Sequence, residues 1–258
     1  MLTERRQSLI GLGLAVAATA GLTTTASATA MSPLVPHGAK SLEQLTATLE
    51  KLPRRRDFKT VPMILVSRDQ WDAEALDAVL HYASGPKQSW DNTDLLGPWL
   101  NVMRNAMNSE VYSFKHPDFL CLSATHGTAQ FALYDDAIWE KYQLAKIAGP
   151  DVTHNSFFAA PPAASHDPAD FQNPDGAFSP RANSIAALQR RGALFLACHN
   201  AVWEHCERLI KIGVNPDKLT TDAMCAELSN HLVPGAILTP GAVGTLVELA
   251  RAGFAYAR

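Results

Sequence analysis

From residue 87 onward, short apolar runs alternate with stretches in which apolar residues recur at a helical period. Phe119-Leu120-Cys121-Leu122-Ser123-Ala124 is too short for a helix and too evenly apolar for a half-exposed strand, which predicts a strand buried on both faces. Ala193-Leu194-Phe195-Leu196-Ala197 predicts another, and Ala236 to Thr239 the last. Lys87-Gln88-Ser89-Trp90-Asp91 carries fewer apolar residues, and its place ahead of a helix makes it the first strand. Helical periodicity follows each strand in turn. One helix opens at Pro98 and carries Trp99, Val102, Met103, Ala106 and Met107. A long one carries Phe131, Tyr134, Ile138, Tyr142 and Ala145 and closes at Gly149. A third runs from Cys198 towards Gly213, and the last, with Val243, Leu246, Val247 and Leu249, ends at Gly253 before Phe254-Ala255-Tyr256. Two more helices are expected, a short one at Ile185–Leu188 opened by Asn183 or Ser184, and one from Thr221 to Asn230. Four strand-helix alternations joined by right-handed crossovers make an α/β fold, a parallel sheet with helices on both faces.

Three regions fall outside that alternation. Residues 1–30 carry Arg5-Arg6 ahead of an uncharged Gly/Ala/Leu-rich run and end in the small residues Ala26-Ser27-Ala28-Thr29-Ala30, a pattern that resembles a twin-arginine export signal. The expected consequences are passage through the twin-arginine translocase and residence in the periplasm. Residues 31–85 read as a tether and helical extension: Leu42, Leu45 and Leu49 recur at helical spacing, Arg54-Arg55-Arg56 sits in a linker, and Val61 to Val66 has the look of a strand. Asp69 is placed to cap a following helix with Trp71, Leu76, Val79 and Leu80. Within the main domain, residues 86–258, an insertion at about 150–182 is rich in Pro, Ala, Asn, Asp and Ser and shows no period. Stretches of that length without structure usually serve a site or a subunit contact.

Composition narrows the function. The formal charge is -3 and no basic stripe accompanies an aromatic platform, so nucleic acid is not an expected partner. No G-x-G-x-x-G, P-loop, G-x-S-x-G, CxxC or CxxCH occurs, and no cofactor is expected. Cys121 and Cys225 lie in apolar strand and helix patterns and read as small buried hydrophobes. Cys198 and Cys206 are separated by two turns of helix, too far to bridge one another.

Cys198 is the candidate for chemistry. It stands where a buried strand passes into a helix, and ligands of open α/β sheets bind at the carboxyl ends of the strands. A helix amino terminus favours thiolate over thiol, so a lowered thiol pKa is expected. His126 and Gly127 end the neighbouring strand, and Asp91 and Asn92 end the first. In a parallel sheet these converge with Cys198, His199, Asn200 and Thr239 on one edge, Cys198, His199 and His126 as reactive groups and Asp91, Asn92, Gly127, Asn200 and Thr239 as the binding surround. Thiolate, imidazole and carboxylate together also suit a transition metal, although no ligand spacing of a known kind is present. His154 and His166 in the insertion complete such a site if the insertion folds over it, whereas His205, about two turns along the helix, reads as a surface or packing residue.

The order of these pieces resembles the DsrE/DsrF-like sulfur-relay superfamily. The features that carry the resemblance are Arg104-Asn105-Ala106-Met107-Asn108, a strand ending in His126-Gly127, and Phe195-Leu196-Ala197-Cys198-His199-Asn200. The closing segments Val233-Pro234-Gly235-Ala236, Thr239-Pro240-Gly241-Ala242-Val243 and Leu249 to Tyr256 complete it. The resemblance implies a flavodoxin-like domain, homo-oligomeric assembly, and a cysteine persulfide at Cys198 that exchanges sulfur with a donor or acceptor protein. Two other readings of the same crevice stay open, a non-catalytic ligand- or partner-binding module and a metal-binding accessory protein.

Overall fold

The computed structural model describes residues 34–159, 165 and 167–258, so the export signal expected at residues 1–30 lies outside the described residues, as does His166. In chain order the elements are α1 (Lys40–Lys51), α2 (Ala73–Leu80), β1 (Lys87–Asn92), α3 (Trp99–Asn108), β2 (Leu120–Thr125), α4 (Asp136–Lys141) and α5 (Ala145–Ala148). Then come α6 (Ile185–Arg190), β3 (Leu194–Cys198), α7 (His199–Lys211), α8 (Thr221–Asn230), β4 (Ile237–Thr239), α9 (Ala242–Arg251) and β5 (Ala255–Ala257). Five strands form one parallel sheet in the order β4-β3-β2-β1-β5. The architecture is the expected α/β, flavodoxin-like one, with helices on both faces.

Strand order dictates where the helices go. From β1 to β4 the chain steps three times in one direction, so three right-handed crossovers put their helices on one face. There Trp99 and Met103 of α3, Ile185 of α6, Val202 and Leu209 of α7 and Met224 of α8 pack on Cys121, Phe195, Ala197 and Leu238. After β4 the chain reverses and crosses back to β5, which puts α9 on the other face. One helix is too narrow for a five-stranded sheet. The segment before residue 86 supplies the rest: Leu42, Leu45 and Leu49 of α1 and Leu76 and Val79 of α2 bury Leu120, Leu122, Leu194, Leu196 and Ile237.

The extension is therefore a layer of the domain, and polar groups lock it down. The Asp118 carboxylate accepts from the backbone N–H groups of Ser41 and Leu42 at 2.9 and 3.0 Å, capping α1 from 77 residues away. Asp72 is fully buried. Its carboxylate accepts from Leu238 N at 2.7 Å and from Arg56 at 3.1 Å, while its own N–H donates to the Leu238 carbonyl. That pairing closes the outer edge of β4, which otherwise exposes unpaired backbone. The arginine triplet is correspondingly part of the framework: Arg55 grips Glu74 with both terminal nitrogens, and Arg56 also reaches the Ala236 carbonyl.

Four local expectations are corrected. Val61–Val66 is irregular chain with Met63, Ile64 and Val66 exposed, and the nearby β4 edge is already taken by Asp72. Asp69 lies within a 3-10 turn, Arg68–Gln70, and the helix starts later, at Ala73. The long helix before Gly149 is a 3-10 segment, Gly127–Leu133, followed by α4 and α5. Phe131, Ala132, Leu133 and Tyr134 are all fully buried, so this stretch threads the core and has no solvent face of the kind an amphipathic helix needs. Beyond the last helix, where the sequence pattern assigns no element, Ala255–Ala257 form the fifth strand.

The insertion docks on the α3/α6 side. Phe157 and Phe158 carbonyls accept from Ile185 N and Ala186 N, capping α6. The Phe178 carbonyl accepts from Arg104 and Asn108, and its ring lies 4.8 Å from the Arg191 guanidinium. Replacing Leu42 by Ala should lower the unfolding free energy by about 2–5 kcal/mol in urea titrations, because Leu42 is 1% exposed and holds the Gly192 backbone. A freely hinged extension would leave the midpoint unchanged.

Candidate functional site

Reversal after β4 makes the carboxyl end of the β3/β4 pair the switch point of the sheet, where consecutive strands send their helices to opposite faces. Open α/β sheets form their binding crevices at such points. Cys198 is the last residue of β3 and pairs in register with Thr239 of β4. Its Sγ accepts from Ala242 N at 3.2 Å and from Ala201 N at 3.4 Å. One sulfur atom thus sits at the amino termini of two helices, α9 and α7, that leave the sheet on opposite sides.

Above it runs a groove of about 460 Å³ between the 64–77 segment and α9, lined by Leu65, Arg68, Trp71, Leu76, Asn200, Gly241, Gly244 and Thr245 among others. Asn200 is exposed and two residues from Cys198. Its side chain lies against Gly241, where a Cβ would come within 2.6 Å of Nδ2. Asn200 and Gly241 are the floor of the groove, and the sulfur is one layer beneath it, 4% exposed and walled by Ala124, Ala201 and Ala242.

Burial reverses the expected acidity. Desolvation raises the Cys198 thiol, the backbone N–H groups of Ala242, Ala201 and Asn200 lower it, and the balance is above the ordinary thiol value. The resting group is a neutral thiol. The backbone behind it is held by Gln130, whose Oε1 accepts from Cys198 N at 3.0 Å.

The other expected site residues divide into those that meet at an edge and those spent inside. His126 Nε2 donates to Asp91 Oδ1 at 2.7 Å, and Tyr256 OH donates to Asp91 Oδ2 at 2.8 Å. Nε2 is thereby committed to Asp91, and among the described residues no hydrogen bond is formed to Nδ1. Burial raises the Asp91 carboxyl, but the hydrogen bonds from His126 and Tyr256 outweigh it and hold the group below the usual aspartate range. Thr125 pairs with Ala197, so His126 stands one step further, beside Cys198 across strands about 4.8 Å apart. Its ring nevertheless turns to β1, the strand on the far side.

His199 does not join the thiol. Its Nε2 donates to the Pro62 carbonyl at 2.8 Å, its Nδ1 is buried without a partner, and burial keeps its pKa below the ordinary histidine value. It fastens the 61–66 segment to the first turn of α7. Asn92 faces the opposite sheet surface, donating to Ser123 Oγ at 2.8 Å. Thr239 donates to the Ala197 carbonyl. Gly127, at φ +53°, lets the loops after β1 and β2 approach, since a Cβ would lie 2.7 Å from the Thr93 carbonyl. His205 is a buried strut between the Gly127 carbonyl and Tyr134 OH, with a pKa pushed down to about 3 by burial. His154 is exposed and bonded to Thr153; the described part of the insertion packs on the α3/α6 face, away from Cys198. Among the described residues no group of three or more His, Cys, Asp or Glu side chains is placed to hold a metal ion.

Two participants were not foreseen, the Ala242 N–H and the Tyr256 hydroxyl. Pro240-Gly241 marked a helix start in the sequence, but only strand order brings that start to Cys198. Comparison with protein-family models, with curated proteins and with solved structures finds no match for this chain.

Alkylation of Cys198 by iodoacetamide should be slow at pH 7 and still accelerating above pH 9, read by mass spectrometry of the labelled peptide. Gly241→Ala, which pushes Asn200 aside, should increase the rate several-fold at fixed pH; an unchanged rate would mean that Asn200 does not cover the sulfur. Asp91, with its depressed folded-state pKa, contributes stability that is complete above the unfolded value of about 3.9 and is lost as pH falls through the folded value. Asp91→Asn should therefore flatten the loss of thermal stability below about pH 4, measured by circular dichroism.

Proposed function

We propose that this protein handles reduced sulfur through Cys198. The observation that carries the reading is the single sulfur set at the switch point, beneath a groove, with backbone N–H donors from two helices aimed at it. The resemblance of the strand-Cys-x-Asn segment and the closing Pro-Gly segments to sulfur-relay proteins supports it. In this mechanism Asn200 swings out, the thiol loses its proton, and the thiolate attacks the outer sulfur of a sulfane donor. The donor's S–S bond breaks and the leaving group takes the electron pair, so Cys198 becomes a persulfide. A partner thiolate then attacks the outer sulfur and Cys198 departs as thiolate.

The buried N–H pair has a clear task in that cycle. It is too weak to ionise the resting thiol against desolvation, but a persulfide is a stronger acid than its parent thiol, so less stabilisation from the surroundings is needed to hold its anion. His126 is the imidazole at the same edge, and it serves as base when its ring leaves Asp91 and turns towards Cys198. Export through the twin-arginine translocase would place the exchange in the periplasm, with a donor or acceptor protein at the groove and a homo-oligomeric assembly as the resemblance implies.

The groove itself favours a second reading, a binding module without catalysis. Its volume falls in the range of small-ligand sites, and Leu65, Trp71 and Leu76 give it an apolar wall with Arg68 at the rim. Intact mass after incubation with polysulfide separates the two. Sulfur handling predicts a gain of about 32 Da that maps to Cys198, disappears on dithiothreitol treatment and is absent from Cys198→Ser. If wild-type protein gains no such mass between pH 7 and 9, with Cys198 alkylating normally under the same conditions, the sulfur role fails and the binding role takes its place.

A further inference from the structure

Charge and polarity along the groove above Cys198 restrict what can enter it. Leu65, Trp71, Leu76 and Pro240 give it apolar walls, and Gly244 leaves bare helix backbone on the α9 side, where a Cβ would meet nothing within 4 Å. Three charged side chains line the groove, Arg68, Asp77 and Glu248, and each is already in an ion pair. Arg68 holds Asp77 at 2.5 Å, and Glu248 faces Arg251 at 3.4 Å. The Thr245 hydroxyl is spent on the Gly241 carbonyl at 2.8 Å. One layer below, the N–H groups of Ala201 and Ala242 are occupied by the Cys198 sulfur. The lining therefore offers an entering anion no unpaired cation.

We propose that the sulfur donor this groove admits is a low-molecular-weight organic hydropersulfide, R–S–SH, with an apolar R group that packs on Leu65, Trp71 and Leu76, and not an inorganic sulfur anion such as thiosulfate. The proposal rests on sulfur handling at Cys198 and adds the chemical class of the donor. An anion entering here gives up hydration without gaining a counter-charge, whereas an apolar R group gains by leaving water. Once Asn200 moves aside, the Cys198 thiolate attacks the outer sulfur of R–S–SH. The donor's S–S bond breaks, and R–S⁻ leaves with the electron pair and takes up the proton that Cys198 released. Cys198 then carries –S–SH. One thiol and one hydropersulfide have become one hydropersulfide and one thiol, so the step needs no added oxidant or reductant.

The test is a matched pair of donors, benzyl hydropersulfide and 4-carboxybenzyl hydropersulfide, alike in shape and reactive group and different by one charge. The rate of the gain of about 32 Da at Cys198 is read by intact mass and peptide mapping at low ionic strength, with 2-mercaptoethanol as reference acceptor. Benzyl hydropersulfide should react roughly tenfold faster than its carboxylated partner with the protein and at the same rate with 2-mercaptoethanol. Asp77→Asn leaves Arg68 unpaired and Glu248→Gln leaves Arg251 unpaired; both replaced side chains are exposed. Each substitution should speed the carboxylated donor several-fold and narrow the ratio. Equal rates for the two donors with wild-type protein, or a ratio that neither substitution moves, overturn the proposal while sulfur transfer itself stands. N-benzyl iodoacetamide and its 4-carboxy analogue report on the groove without sulfur transfer and should show the same preference at Cys198. If both alkylate Cys198 while no donor, polysulfide included, adds sulfur to it, the sulfur reading has failed and the donor class falls with it.

Discussion

Everything in this molecule follows from the direction in which the chain steps across its sheet. Three same-way steps from β1 to β4 commit their helices to one face by the handedness of the crossover, and the single reversal after β4 sends α9 to the other. The first consequence is a shortage of cover, met by α1 and α2 from the amino-terminal segment. The second is a crevice, since α7 and α9 diverge from adjacent strands and leave their amino termini on either side of one sulfur atom. Cover and crevice are two results of one topology.

At that sulfur two fields compete, and their magnitudes settle the outcome. A helix amino terminus is worth about 0.3–1 kcal/mol to a nearby anion at an exposed site and up to ~2 in a partly buried one. Withdrawing a charge from water costs several kcal/mol even after relaxation. Two helix termini cannot offset that cost for a thiol that is 4% exposed, and the thiol stays neutral. The arrangement favours an anion only when something opens the floor made by Asn200 and Gly241, or when the bound sulfur is itself more acidic. Reactivity at this position is thus conditional on access.

Polar groups elsewhere serve rigidity. Asp72 and Arg56 close the β4 edge, Asp118 caps α1, His205 braces the turn after β2 against α7, and His199 pins the 61–66 segment. Each joins segments remote in sequence. His199 and His205 hold the loops at the carboxyl edge, which is where a binding surface has to be stiff, while Asp118 and Asp72 fasten the covering segment. The Tyr256-Asp91-His126 array belongs to the same edge and fixes the imidazole ring through one of its nitrogens.

The sequence by itself determined the strands at Leu120–Thr125 and Leu194–Cys198, the helices that follow β1, β3 and β4, and the place of Cys198 at a strand-helix junction. These rest on local periodicity and on glycine and proline punctuation, which the chain carries within a few residues of each element. Tertiary structure alone decided that residues 40–80 are a layer of the domain, that Gly127–Leu133 is 3-10 and threads the core, and that His199 turns to Pro62. It also decided the acidity of Cys198, because desolvation depends on every atom packed around the sulfur, whereas the helix terminus that opposes it is written in the adjacent residues. Contacts such as Asp118 with Ser41, or Ala242 with Cys198, depend on strand order, and strand order is a property of the folded sheet that no local pattern encodes.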